Sequence, residues 1–227
     1  MIRATGNLAP EKHLVYEAIV DALNVLFGVH PGYRPVHAKG VVCAGAFRPA
    51  ATVASISHAP HLQNAPVPLT VRFSDFAGIP TVPDGDPLAS PKGMAVKFHL
   101  PRGTDTDLVA QSHDGFPVRT AEEFLEFVRA LATSGPRVPS PKPIDTFGAS
   151  HPQARRFVQA PKPTPASFAT ESYYAVNALR FVDQTIGRCF GRPGVMPQST
   201  CRAKQTMPFL AALAGGPFSL AKTRARW

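Results

Sequence analysis

Between positions 10 and 27, apolar residues recur at spacings of three and four. Leu14, Ala18, Ile19, Ala22, Leu23, Leu26 and Phe27 predict an amphipathic helix, with Pro10 suited to its first turn and Gly28 to its stop. The period then changes to two. Short apolar runs at Val41–Phe47, Thr52–Ser57, Val67–Phe73 and Gly93–His99 predict strands separated by Pro, Gly, Asp and Ser, with Asp107–Gln111 a fifth candidate. Thr120 and Glu123 have the spacing of a capping box. Phe124, Phe127, Val128 and Leu131 follow on one helical face.

Residues 134–168 contain eight prolines and predict an extended arm, and Ser172–Val182 predicts one more strand. Beyond 184 neither period persists. The apolar patch Phe209–Leu213 is short and ends at Gly215-Gly216-Pro217. Strands gathered before and after separate helices define an α+β chain.

Composition narrows the class. The 227 residues suit one domain with a sizeable core, and 44% are hydrophobic. No apolar run reaches the roughly 18 residues of a membrane helix. The start, MIRATGNLAPEKHLVYEAIV, carries charge where a signal peptide needs its apolar segment, so a cytoplasmic protein with no membrane partner is expected. Cys43, Cys189 and Cys201 fit neither a disulfide framework nor a zinc spacing.

The net charge of +9 is unevenly spread. All 15 acidic residues and 17 of the 24 Lys and Arg lie in 1–183. The last 44 residues hold seven basic residues and no acid, without the dense run or aromatic interleaving of a nucleic-acid stripe, so no nucleic-acid partner is expected. Two segments are therefore distinguished, 10–183 as a folded core and 184–227 as a basic tail, disordered or read from a shifted frame.

Candidate chemistry centres on YRPVHAKG, residues 33–40. His37 lies between Arg34 and Lys39 and precedes the small residues Ala38, Gly40, Ala44, Gly45 and Ala46, which let a flat or bulky group approach the backbone. Alternation along a strand puts Arg72 and Ser74 on one face. An imidazole, a hydroxyl and two guanidinium groups could converge. Solvated strand ends and a turn-capping serine explain the same spacing equally well.

Asp84-Gly85-Asp86 reads as a turn, because a calcium loop needs later carboxylates that are missing. His58 and His61 read as exposed residues of a proline-rich turn, His99 as a strand end and His113 as a loop residue. Cys43 reads as a small buried side chain.

Several motifs, in order, carry a resemblance. Arg34-Pro35-Val36-His37-Ala38-Lys39-Gly40 followed by Gly45-Ala46-Phe47 resembles the haem-side histidine motif of catalases, and Val71-Arg72-Phe73-Ser74 their second haem-side motif. Pro91-Lys92-Gly93-Met94-Ala95-Val96-Lys97-Phe98 resembles their P-R-G-F-A-V-K-F segment. The runs Phe116–Phe124 and Ser172–Asn177 are more similar to the smaller catalase-related haem peroxidases. The match covers about residues 10–183.

The resemblance implies a catalase-like antiparallel β-barrel, incomplete here, with added helices. It implies haem as cofactor, a peroxide and a small organic reductant as partners, and a homo-oligomer. His37 would be the acid–base group above the iron, with Ser74 bonded to its second ring nitrogen. Arg34 and Arg72 would face the haem propionates, and Phe124 would wall the pocket. Ser112 stands where true catalases carry an asparagine, which favours peroxidase turnover over dismutation.

The family's iron ligand, a tyrosinate on a late helix, has no counterpart, because Tyr16, Tyr33, Tyr173 and Tyr174 all match earlier parts of the pattern; the metal ligand is left unassigned. Two further readings stand beside the peroxidase. They are a non-catalytic remnant of the fold and a haem isomerase of lipid hydroperoxides.

Overall fold

The computed structural model describes residues 10–49, 53–54, 57–63, 65–177, 179–183, 187–191 and 220–221. The chain divides into two compact units. One comprises Met1–Ala38, Ala77–Pro80 and Phe116–Pro161; the other comprises Lys39–Phe76, Thr81–Gly115 and Lys162–Trp227.

The first unit is helical, with α1 (Pro10–Phe27), α2 (Ala121–Ala132), α3 (Pro143–Ser150) and α4 (Pro152–Gln159). Gly28 ends α1 in the left-handed conformation, φ 85°, and its N–H reaches the Asn24 carbonyl at 2.9 Å. The buried face of α1 is Ala22, Leu23 and Phe27, whereas Leu14, expected on that face, is 65% exposed.

Thr120 caps α2 as its spacing predicts. Its hydroxyl accepts the Glu123 N–H at 3.2 Å, and the Glu123 carboxylate accepts the Arg119 N–H at 2.9 Å. Replacing Thr120 by Ala is expected to lower unfolding stability by about 1 kcal/mol, read in urea melts, while Thr120→Ser stays near the parent.

The proline-rich stretch 134–168 is not the expected extended arm, since it holds α3 and α4. Pro143 and Pro152 each stand in a first helical turn, where a proline has no hydrogen bond to lose and starts the helix. Gly148 lets the two helices close together, because a Cβ there would meet the Cβ of Arg155 at 3.2 Å. Phe127, 2% exposed, sits among the rings of Phe124, Phe147 and Phe157.

The second unit is a sheet of antiparallel strands: β1 (Gly40–Phe47), β2 (Val67–Ser74), β3 (Gly93–His99), β4 (Asp105–Gln111), β5 (Tyr174–Ala175), β6 (Leu179–Asp183), β7 (Gly187–Gly191) and β8 (Leu220–Ala221). Six of them pair in the order β5-β4-β3-β2-β1-β8, and β6 pairs with β7 apart from these. Among the described residues the sheet is open, with β5 and β8 at its edges. An incomplete α+β architecture is what the sequence predicts.

Alternation assigns the faces. Phe47, Leu69, Val71, Phe73, Met94, Val96, Phe98 and Ala110 bury one face together with Tyr173. Cys43 is buried on this side, as expected. The register Val42↔Arg72↔Ala95↔Val109 marks the other.

Two strand expectations fail. In Thr52–Ser57, Val53 and Ala54 are helical in a single turn, and Ser57 lies in a loop; the remaining residues fall outside those described. Side chains satisfy this backbone locally. The Ser57 hydroxyl accepts the Ala59 N–H at 3.1 Å, and the Gln63 amide donates to the Ser57 and Ala59 carbonyls. Val53 is still buried, so its apolar character reports burial and not a strand.

Ser172–Val182 is not one strand but two, β5 on β4 and β6 on β7. The β7 strand also lies beyond 184, where the sequence shows no period, while most of 184–227 falls outside the described residues. Of the two histidines expected in solvent, His58 is exposed. His61 instead stacks on Phe98 with centroids 4.6 Å apart, and its Nδ1 lies 3.3 Å from the Thr106 hydroxyl. Burial lowers its pKa accordingly. No described helix is long and apolar enough to cross a membrane.

Candidate active site

In the helical unit the segment carrying His37 is held by packing. Its backbone is left-handed at His37, φ 55°, a conformation that costs a residue with a Cβ. The Ala38 N–H donates to the Ala77 carbonyl at 3.1 Å, and Tyr33 N–H to the His30 carbonyl at 3.0 Å. Gly78 packs directly beneath the segment: a Cβ there would stand 2.1 Å from the Pro35 carbonyl oxygen.

Gly78→Ala is therefore expected to displace the Pro35–Ala38 backbone and to cost about 1–3 kcal/mol. Chemical denaturation and the backbone amide shifts of 35–38 would measure both effects. In the same unit His37 is half-buried, Arg34 exposed, and Phe124 partly buried on α2 with its ring 5.4 Å from that of Phe116.

In the sheet unit Arg72 and Ser74 project to one face of β2, as alternation requires. Gly40 pairs with Ser74 across β1, and Ser74 with Gly93 across β3. The glycine at 40 is needed for Arg72: an added Cβ would lie 3.0 Å from a guanidinium nitrogen and 2.3 Å from the Phe73 carbonyl oxygen. Ser74 is 4% exposed.

Ser112 lies one step past β4. Its N–H donates to the Lys92 carbonyl at 2.8 Å, and its hydroxyl accepts the Lys92 N–H at 2.9 Å. It thus extends the β3–β4 ladder and clasps Lys92.

Next to Ser74 the sheet ends in a charged cluster that the sequence reading missed. Asp75 is fully buried and Lys92 nearly so, and the Lys92 ammonium donates to Asp75 at 2.7 Å and to the Asp84 carbonyl at 2.9 Å. That ammonium also lies 5.8 Å from the centre of the Phe168 ring. Lys39 donates to the Val82 carbonyl at 2.8 Å, to the Asp84 carboxylate, and stands 3.6 Å from Asp75. Asp84 belongs to the expected turn, in which Asp86 accepts the Leu88 N–H at 2.8 Å.

Burial pushes the Asp75 carboxyl above the ordinary carboxylate range; the Lys92 hydrogen bond opposes this, and the Asp84 carboxyl adds to it. Hydrogen bonds to Lys39 and Asp75 hold Asp84 below that range. Desolvation works against the Lys39 ammonium, but its acidic neighbours outweigh it and raise its pKa. Two signals mark this cluster in sequence: Asp75 directly follows Ser74, and Lys92 fills the cationic position of the motif beginning at Pro91.

The structure thus joins Arg72 and Ser74 on one strand face and puts Ser112 in the next row of the sheet. Arg34, His37 and Phe124 belong to the helical unit. Among the described residues no three His, Cys, Asp or Glu side chains gather as a metal site.

This fold is shared with a solved bacterial catalase. The two align with a TM-score of 0.58 over 84% of this chain and 37% of that one, at 19% identity, a likeness of fold alone. The sequence model of the catalase family matches residues 31–205, and the chain belongs to the catalase family. The match ends later than the motifs indicate.

A catalase-related peroxidase of Mycolicibacterium paratuberculosis is 34% identical over 181 residues, covering 78% of this chain and 54% of that protein. One from Synechococcus elongatus is 28% identical over 174 residues, covering 74% and 50%. The chain spans about half the length of the curated relatives it matches.

Proposed function

We propose that this chain serves a haem-dependent reduction of hydrogen peroxide or organic hydroperoxides, with a small organic reductant completing the cycle and His37 as the acid–base group. The observation that carries the reading is the left-handed backbone at His37, built into a segment whose packing tolerates no side chain at position 78. Backbone strain of this kind persists where the surrounding structure enforces it, and it concentrates at functional sites. Membership of the catalase family supports the same chemistry.

The residues fit one face of a haem. Arg72 is a half-buried guanidinium beside a bare glycine backbone, suited to a propionate carboxylate, and Ser74 on the same strand face is a buried hydroxyl. The opposite face is another matter. Tyr16 and Tyr33 are exposed, and Tyr174 lies on the two-residue strand β5. Tyr173 is buried, its hydroxyl donates to the Phe168 carbonyl at 3.0 Å, and burial raises its pKa far above the phenol range. A tyrosinate ligand needs the reverse, so no iron ligand is assigned.

Bound haem would supply the redox chemistry of peroxide reduction. His37 would accept the peroxide proton and return it to the departing oxygen, which suits an imidazole because its ordinary pKa lies near 6.5. Ser74 would accept a hydrogen bond from the second ring nitrogen and fix the tautomer. Arg34 and Arg72 would bind the propionates, and Phe124 would exclude water. Ser112 is engaged with Lys92, and by alternation its side chain lies on the sheet face opposite Ser74; the residue in the Ser74 row is Gln111, whose amide donates to the Gly115 carbonyl.

Titration of the purified chain with hemin tests the reading. A saturable Soret band and peroxide-driven dye oxidation are expected; no band at any hemin ratio would overturn it.

A further inference from the structure

The buried Asp75–Lys92 pair has no part in that chemistry, and as a source of stability it is poorly chosen. Two charges taken out of water must recover a large desolvation cost, and apolar residues of similar size usually hold a fold as well or better. The best-attested use of such a pair is to fix register. Its position in the sheet suits that use.

The row Gly40–Ser74–Gly93–Gln111 is the last full row of β1 to β4. One step beyond it, Asp75 donates its N–H to the Lys39 carbonyl at 3.0 Å, and Lys92 is bonded twice to Ser112. The charged pair therefore sits on the backbone neighbours of Ser74 and Gly93. Slipping β2 by one residue would exchange the faces of Arg72, Phe73, Ser74 and Asp75. It would also leave a carboxylate and an ammonium buried apart, a strong penalty against the wrong register.

We propose that Lys92 and Asp75, with Lys39 and Asp84 closing the cluster, are positioning residues that lock the β2–β3 register and so aim the Ser74 hydroxyl and the Arg72 guanidinium at the reacting face. The inference rests on the assignment of Ser74 as partner of the His37 ring. Lys92 touches no reactant in it. It acts through Ser74 and Arg72.

Four variants of the full chain test it: Ser74→Ala, Lys92→Arg, the paired change Asp75→Asn with Lys92→Met, and Asp84→Asn. Each is measured without haem by the imidazole nitrogen shifts of His37, which report its tautomer, and after hemin loading by dye oxidation. Ser74→Ala is expected to alter the His37 tautomer ratio. The paired variant, with both charges removed, is expected to remain folded and to show the same altered ratio. Its oxidation rate should fall about tenfold to a hundredfold, the scale of a small misplacement at a reacting centre. Lys92→Arg should restore parental values in both readouts.

Asp84→Asn changes a solvent-facing carboxylate and leaves the Asp75–Lys92 pair in place, so a smaller shift in the same direction is expected. This variant decides the matter if the paired one does not fold. A folded paired variant, or Asp84→Asn in its stead, with parental tautomer ratio and rate overturns the register lock. A silent Ser74→Ala overturns the assignment beneath it as well.

Discussion

Hemin-loaded protein carrying His37→Ala is expected to oxidise a dye about 10²–10⁴ times more slowly than the parent, the range a positioned proton-transfer group contributes. Hemin binding should persist, because the residues proposed to hold the propionates, Arg34 and Arg72, are unchanged. The variant should also fold normally: alanine keeps a Cβ, so the left-handed backbone at 37 stays as strained as before. His37→Gly separates strain from chemistry. Glycine adopts φ 55° freely, and this variant should be more stable than His37→Ala by about 1 kcal/mol while being equally slow. A His37→Ala protein that turns over at the parental rate would refute the acid–base role, whatever its hemin content.

Lys92→Met is expected to give the largest loss of stability. Methionine fills the space of the lysine stem but leaves the fully buried Asp75 without the ammonium 2.7 Å away. Removing one member of a buried pair costs about 3–5 kcal/mol. For a protein of this size each kcal/mol lowers the Tm by roughly 2–4 °C, so a fall of about 10 °C is expected by calorimetry. Burial already raises the Asp75 carboxyl, and loss of Lys92 removes the hydrogen bond that opposes this.

The remaining carboxylate should therefore take up a proton more readily, and the variant should recover part of its stability as the pH is lowered. The sign follows from linkage: a raised carboxyl pKa favours the folded state at low pH, and that contribution is lost as pH rises through the folded value. A Tm within a degree of the parent would mean that Asp75 and Lys92 do not depend on each other.

The candidate site was only partly legible in the sequence. Arg72 and Ser74 could be put on one face because period-two alternation depends on the strand alone, and their pairing with Val42 and Gly40 on β1 bears this out. The left-handed backbone at His37 was not legible, since its segment packs on Gly78, 41 positions away in the chain. Asp75 and Lys92 escaped notice for a related reason. A charged residue at a strand end reads as solvated, and only the assembled sheet shows that both are buried.

The sequence by itself determined the elements whose signals are local. Helix α1, the Thr120 cap of α2 and the core strands β1 to β4 follow from periodicity and side-chain-to-backbone bonds within a few residues, and the motifs along them determined the family. The tertiary structure decided the rest. Whether Pro143 and Pro152 break a chain or begin helices depends on what those helices pack against, here the ring of Phe127. Where Ser172–Val182 divides depends on which strand edge is free to receive each part. Local signals report what a segment prefers; burial and pairing are settled by residues distant in sequence, and those fixed the charged cluster and the backbone at His37.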